Sequence, residues 1–341
     1  MIHHLEIVHF RKFSNLTLDF KNKITVFTGP NAVGKTTILE AIYLISTSKS
    51  HRTNDLSTLI QNNENYLSVE IYSTKKFKMI LSKEGKKSFI NDISYPKLSD
   101  FIGGLPVILF SPSDLELIQG SKSVRRRFLD LELSLIDKSY LRAIMGYKKL
   151  LKERNELLKI YTEDKKLVLN VITTQILEYI SKLYQIRTNF LERLNSKLKM
   201  VCEHLECEQI KLSYIPSYDI HHLEDSFQSK LSYDLLTKTT NIGLHRDDFK
   251  IELDTLEAKE FASEGQMRNA ILTIKFALKE IYKEKGQEII LLLDDVFASI
   301  DQKRINHIME YIKNEHQTFI TTTSLFNIPD ELLKEAQIIR L

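Results

Sequence analysis

Residues 24–28 form an apolar, β-rich stretch that reads as a buried strand. After a glycine-containing break, Ile38, Leu39, Ile42 and Ile45 recur at helical spacing. Residues 289–293 form a second short apolar run, the kind that a strand covered on both faces shows. Further on, the apolar QTFI leads into Thr321, Thr322 and Thr323. Between these ends the apolar spacing of LRAIMGYKKLLKERNELLKI and LVLNVITTQILEYISKLYQI predicts a mostly helical stretch over about 116–240. FASEGQMRNAILTIKFALKE predicts one more helix. No heptad pattern persists long enough for a long coiled coil. The pattern therefore predicts an α/β domain interrupted by a compact helical insertion.

Composition adds mainly exclusions. The chain has 341 residues, 43% hydrophobic and 27% charged, which is ordinary for a globular protein. MIHHLEIVHFRKF contains no apolar core of a secretory signal. No apolar run approaches the 18 or so residues of a membrane span, so a cytoplasmic protein without a membrane partner is expected. A net charge of +3 permits a nucleic-acid partner without arguing for one. Cys202 and Cys207 flank His204, but positions five apart lie well away from each other on a helix surface and a fourth ligand is missing. There is no internal repeat and no low-complexity tract.

The glycine-containing break carries chemistry. Gly29, Pro30, Asn31, Ala32, Val33, Gly34, Lys35 and Thr36, followed by Thr37, fit G-x-x-x-x-G-K-[ST] between a strand and a helix. Backbone N–H groups of such a loop curl round a phosphate, and the helix N-terminus adds its positive end. Lys35 would reach the β and γ phosphates of ATP, and the Thr36 hydroxyl would ligate Mg²⁺. An acidic partner is expected at the C-terminal end of a neighbouring strand, where open α/β sheets bind ligands. Asp294 and Asp295 stand there, after residues 289–293. Asp294 would hold Mg²⁺, and Asp295 would orient or deprotonate the attacking water.

The helix opening at Ser263 has two readings. Ser263 and Gln266 can form a capping box. That leaves Gly265 unexplained, since glycine in a helix costs about 1 kcal/mol relative to alanine.

The order of these parts resembles the ATP-binding-cassette superfamily: P-loop, long insertion, signature motif opening a helix, acidic strand. Ala298, Ser299, Ile300 and Asp301 resemble its D-loop, and Thr321–Thr323 stand where many cassettes carry a histidine switch. VHFRKF, GKTTILEAIYLISTSKSHR, LFSPSDLELIQG with RRRFLDLELS, YKKLLKERNELLK, GLHRDDF, FASEGQMRNA and LLLDDVFASID further resemble, in order, the RecF family of bacterial recombination mediators. This resemblance covers nearly the whole chain. It implies an SMC-like cassette ATPase head formed by 1–115 and 241–341, with an arm domain at 116–240. It also implies a weak, DNA-stimulated ATPase that dimerises on ATP. Such a protein binds duplex or gapped DNA in the cytoplasm, at the nucleoid, and helps RecO and RecR load the RecA recombinase in DNA repair and the SOS response. Arg11 joins the nucleotide-contacting residues, with Ser263, Gly265 and Gln266 acting from the partner subunit. Ala32 departs from the family's usual glycine, and Lys122 from a frequent proline. The role of GLHRDDF and the identity of a Q-loop residue do not follow from the sequence.

Between 122 and 154 there are ten Lys/Arg and four Asp/Glu, a net of +6. Arg125, Arg126, Arg127, Lys148, Lys149, Lys152 and Arg154 are the candidate DNA contacts, set against a plain solvated helical face. Two other readings compete: an SMC-like ATPase of another DNA-maintenance or defence pathway, and a transporter ATPase subunit. The latter fits poorly with a large basic helical insertion.

Overall fold

The computed structural model describes residues 1–299, 305, 306, 308, 309, 312 and 317–341. Two units divide the chain. Met1–Asp114, Val201–Cys207 and Ile271–Leu341 form the first; Leu115–Met200 and Glu208–Ala270 form the second.

The first unit contains two sheets. β1 (His4–Phe10), β2 (Phe13–Asp19), β4 (Tyr66–Tyr72), β5 (Lys76–Ser82), β6 (Gly85–Ile90) and β7 (Ile93–Ser94) form an antiparallel sheet in the order β2-β1-β4-β5-β6-β7. β5 shows the alternation of a sheet with one wet face: Phe77, Met79 and Leu81 are buried, while Lys76 and Lys78 lie outward. The second sheet is wholly parallel. It comprises β3 (Ile24–Thr28), β8 (Val107–Phe110), β12 (Ile290–Asp294), β13 (Gln317–Thr322) and β14 (Gln337–Arg340), in the order β14-β3-β13-β12-β8. Every residue of β3, β8, β12 and β13 is buried, which explains the apolar runs within β8 and β12 and the enclosed threonines of β3 and β13. One core joins both sheets through the helix Lys35–Thr47. Leu5, Ile7, Val69 and Met79 meet Ile38, Leu39 and Ile42 of that helix and Phe27, Leu292 and Phe319 of the parallel sheet.

In the second unit, helices Lys122–Ile136, Lys138–Lys159 and Leu223–Thr237, and Lys166–Leu205 as far as Met200, accompany a small antiparallel sheet. Its strands are β9 (Ile210–Ile215), β10 (Asp248–Leu253) and β11 (Leu256–Glu257). Residues 241–270, expected with the ATPase head, fall in this unit. β10 pairs with β9 along its whole length, Asp248 to Ile215 through Leu253 to Ile210.

The same unit gives GLHRDDF a structural role. Asp248 takes a two-pronged bond from Arg125, at 2.7 and 3.0 Å. Asp247 accepts from Ser217 N, Tyr218 Oη and Tyr214 Oη. Arg187, fully buried, donates to Asp130 at 2.8 Å, to the Tyr140 and Tyr214 hydroxyls and to Leu244 O. His245 bridges Tyr147 Oη and Thr240 O at 2.8 and 2.9 Å. A carbonyl only accepts, so Nε2 carries the ring proton and Nδ1 accepts from the tyrosine. Burial pushes this imidazole down to about 4, which keeps it neutral.

This sets an acid sensitivity. The unfolded His245 titrates near 6.5, so below that pH the unfolded chain binds a proton that the folded one refuses. Stability is therefore complete above about pH 6.5 and falls as pH drops towards 4. The loss approaches about 3 kcal/mol for a shift of this size. Urea midpoints taken from pH 7 to 4.5 should fall more steeply for wild type than for His245→Gln, whose amide can still donate to Thr240 O.

Candidate functional site

β3 runs into the loop Gly29–Gly34, and the helix Lys35–Thr47 begins at its end. Gly34 caps that helix with φ 105, a left-handed conformation that side chains resist, and offers no side-chain acceptor to the first N–H groups. The helix start thus keeps its donors for a ligand. Lys35 Nζ folds back onto Gly29 O and Pro30 O, each at 2.7 Å. Burial lowers its pKa, against the opposing pull of Asp295 and Asp294.

Thr36 Oγ1 donates to Asp294 Oδ1 at 2.8 Å, and Thr321 Oγ1 donates to the same oxygen at 2.7 Å. The strand bearing Asp294 is not the direct neighbour of the P-loop strand, as expected from sequence; β13 runs between them. That intervening strand supplies Thr321, the first of the three threonines. Asp295 follows with φ 52, and its N–H bonds both Thr321 O and Thr321 Oγ1. Its Oδ1 is buried with no hydrogen-bond partner among the described residues. Burial, then the Asp294 charge, push its carboxyl up, and Lys35 pulls the other way.

A hydroxyl beside a carboxylate, both hard oxygen donors, suits Mg²⁺. That ion takes few protein ligands and completes its shell with phosphate and water. Among the described residues there is no cluster of three or more His, Cys, Asp or Glu side chains that would hold a metal by itself.

The Arg11 guanidinium forks onto Glu40 of the P-loop helix through Nε and Nη2, at 2.6 and 2.8 Å, and so anchors a hairpin to that helix; Nη1 takes no part in this pair. Sequence reasoning missed Glu40. It is fully buried on the apolar helix face, and also accepts from Ser50 and Arg52. An acid among Ile38, Leu39 and Ile42 was the available signal. Also missed were His51, whose ring nitrogens are buried without a hydrogen-bond partner among the described residues, and the pair Lys275–Asp114 at 3.3 Å. Asp114 follows β8, beyond the same C-terminal end of the parallel strands at which Asp294 stands.

Ser263, Gly265 and Gln266 fall in the second unit. The capping box is formed: Ser263 N donates to Gln266 Oε1 at 2.9 Å, and Gln266 N to Ser263 Oγ at 3.3 Å. A Cβ on Gly265 would meet no described atom within 4 Å. Of the D-loop-like residues, Ile300 and Asp301 lie outside the described residues.

The basic block needs correction. Arg125 and Arg154 are buried ion-pair members, Arg154 with Asp234 at 2.8 Å and also with Thr240 Oγ1, so neither presents charge to a partner. Arg126 is half-buried and donates to Asp247 O. Lys148 is exposed but held by Asp130 at 2.8 Å. Lys149, Lys152 and Arg127 lie exposed, Lys149 near Glu153 at 3.8 Å.

The family model described as "RecF/RecN/SMC N terminal domain" matches residues 1–331. A relative from Shouchella clausii named "DNA replication and repair protein RecF" is 36% identical over 357 residues, covering 98% of this chain and 96% of its own. One of the same name from Bacillus cytotoxicus is 36% identical over 359 residues, covering 100% and 96%. The solved "Structure of the recombination mediator protein RecF-ATPrS in RecFOR pathway" superposes with a TM-score of 0.89 at 28% identity, covering 100% of this chain and 96% of the other. An Smc head bound to the C-winged helix domain of ScpA, 16% identical with a TM-score of 0.55 over 99% and 93%, shares the fold alone. The fold is that of an ABC/SMC-like ATPase head, and the chain belongs to the RecF family.

Proposed function

We propose that this chain is an ATP-dependent, DNA-binding recombination mediator. It binds ATP with Mg²⁺, dimerises on ATP, hydrolyses it slowly, and acts with RecO- and RecR-type partners to promote RecA loading at gapped DNA. The observation that carries this reading is the meeting of Thr36, Asp294 and Thr321 on one carboxylate oxygen, beside Lys35 and Asp295. Family membership and the names of the relatives, "DNA replication and repair protein RecF" and "RecF-ATP in RecFOR pathway", support it. No helix among the described residues is long and apolar enough to cross a membrane, which is compatible with a nucleoid protein.

In this reading Lys35 leaves the Gly29 and Pro30 carbonyls for the β and γ phosphates, and Thr36 and Asp294 hold Mg²⁺. The ion, when bound, offsets charge on the β and γ oxygens. Asp295 positions or deprotonates water; a carboxyl pushed up by burial is a better base than an ordinary aspartate. Being a methylene shorter than glutamate, it gives slow turnover. Ser263 and the helix start at Glu264 approach the γ-phosphate of a second subunit, with Gly265 leaving room for the approach.

Asp295→Asn should bind ATP and Mg²⁺ as wild type does while hydrolysis falls at least about 100-fold. Brisk multiple turnover by the variant would remove Asp295 from its role. Ser263→Arg should leave monomeric ATP binding near normal yet block ATP-dependent dimerisation, read by light scattering. Dimers persisting in that variant, with only a lower Tm, would reduce the motif to a helix cap. For DNA, Lys149→Ala with Lys152→Ala should lower the log–log salt slope on duplex by about 0.9 for each phosphate no longer neutralised. ATP binding without DNA should not change. An unaltered slope would return this face to plain solvation.

A further inference from the structure

The hairpin turn between β1 and β2 is fixed against the P-loop. Phe10 pairs with Phe13, leaving Arg11 and Lys12 as the two-residue turn. Arg11 has φ 52, the positive value that tight hairpins require at their first central residue. Its N–H bonds Leu59 O at 2.7 Å, its guanidinium holds Glu40, and Gln61 Nε2 donates to Lys12 O at 3.3 Å. The turn is thus anchored at three points, two on its backbone and one through the Arg11 side chain. From it, Phe13 and Lys12 reach the P-loop. A Cβ on Gly34 would lie 2.4 Å from Phe13 Cζ and 3.2 Å from Lys12 Cδ, so the bare glycine makes room for both side chains. Lys12 Nζ then donates to Ala32 O at 3.1 Å.

Ala32 is the P-loop residue least suited to its conformation. Its φ is 64, a left-handed value that an L-residue adopts only at a cost. Something must hold this peptide in place of the flexibility that glycine would bring. Across a planar trans peptide, C=O and N–H point in opposite directions. With the Ala32 carbonyl held outward by an ammonium, the Val33 N–H on the same peptide points inward, where backbone donors of such a loop meet an anion.

We propose that Lys12 is a positioning residue of the nucleotide site: it pins the Ala32 carbonyl and thereby aims the Val33 N–H at a bound phosphate. This rests on the ATP-binding reading above. A lysine that instead touched the γ-phosphate would favour ATP over ADP. A lysine that shapes the loop serves both nucleotides alike.

The test compares wild type, Lys12→Met, Lys12→Arg and Lys35→Met for ATP and ADP affinity by calorimetry. Tm and Val33 amide exchange are followed without nucleotide. Lys12→Met should bind ATP and ADP each about fivefold more weakly, the scale of one net hydrogen bond. Its Tm should stay at the wild-type value and its Val33 exchange should quicken. Lys12→Arg, which keeps a donor, should bind within about twofold of wild type. Unchanged affinity in Lys12→Met overturns the proposal, as does a loss confined to ATP or one accompanied by a drop in Tm. The two readings fail differently: a wild type that does not bind ATP, or a Lys35→Met that binds it normally, removes the nucleotide site itself and this role with it.

Discussion

Asp294 Oδ1 accepts from Thr36 Oγ1 and Thr321 Oγ1, so one oxygen ties together three segments that are far apart in the chain. The constraint reaches outward from there. For Thr36 to meet Asp294, the P-loop strand and the acidic strand must end level, and β13 must run between them in register. The pairings Thr28 with Thr322 and Asp294 with Thr321 provide this. Because every residue of these strands is enclosed, a shift of one residue would exchange the side chains packed on the two faces, which close packing resists. The apolar continuity of these strands therefore does more than fill a core. It sets the level at which hydroxyl, carboxylate and ammonium meet.

The second unit is organised by buried charge. Arg125–Asp248, Arg154–Asp234 and Arg187 with Asp130 sit where an unpaired ion would cost several kcal/mol. Each arginine is satisfied by a fork or by added hydroxyls, as such burial demands. Pairs of this kind are poor sources of net stability but strict about partners. Losing one member strands the other, at about 3–5 kcal/mol. This is the physical content of GLHRDDF: two adjacent acids facing two arginines, and a histidine kept neutral between a phenol and a carbonyl.

The P-loop and the acidic pair were legible in the sequence because their chemistry is local. A glycine-framed loop, a lysine and two adjacent carboxylates stand out over a few residues each, and the flanking apolar runs announce strand and helix. What stayed illegible depends on distance. Net charge over 122–154 counts Arg125 and Arg154 as available cations, since the carboxylates that bury them, Asp248 and Asp234, lie outside the window. The role of GLHRDDF did not follow from the sequence because Tyr147, Arg187 and Tyr214 are remote from it in the chain. Lys12 escaped notice for the same reason: Ala32, its acceptor, is twenty residues away, and only the fold makes them neighbours.

The helix opening at Ser263 meets one demand within its own chain and, on the proposed function, a second from outside it. The capping box is present, so Ser263 and Gln266 have an adequate role inside their own chain. Gly265 has none. Its φ is not left-handed, and a Cβ there would stand in open space among the described residues, so neither backbone strain nor packing requires a glycine. On the proposed shared site, the bare glycine leaves this surface open to the close approach of a phosphate. The cap favours that approach. Ser263 Oγ accepts from Gln266 N, so the hydroxyl keeps its own proton for an acceptor arriving from outside, and the box fixes the helix start beside it. On the proposed shared site, capping and phosphate recognition are therefore not rivals: the first holds rigid what the second needs to meet.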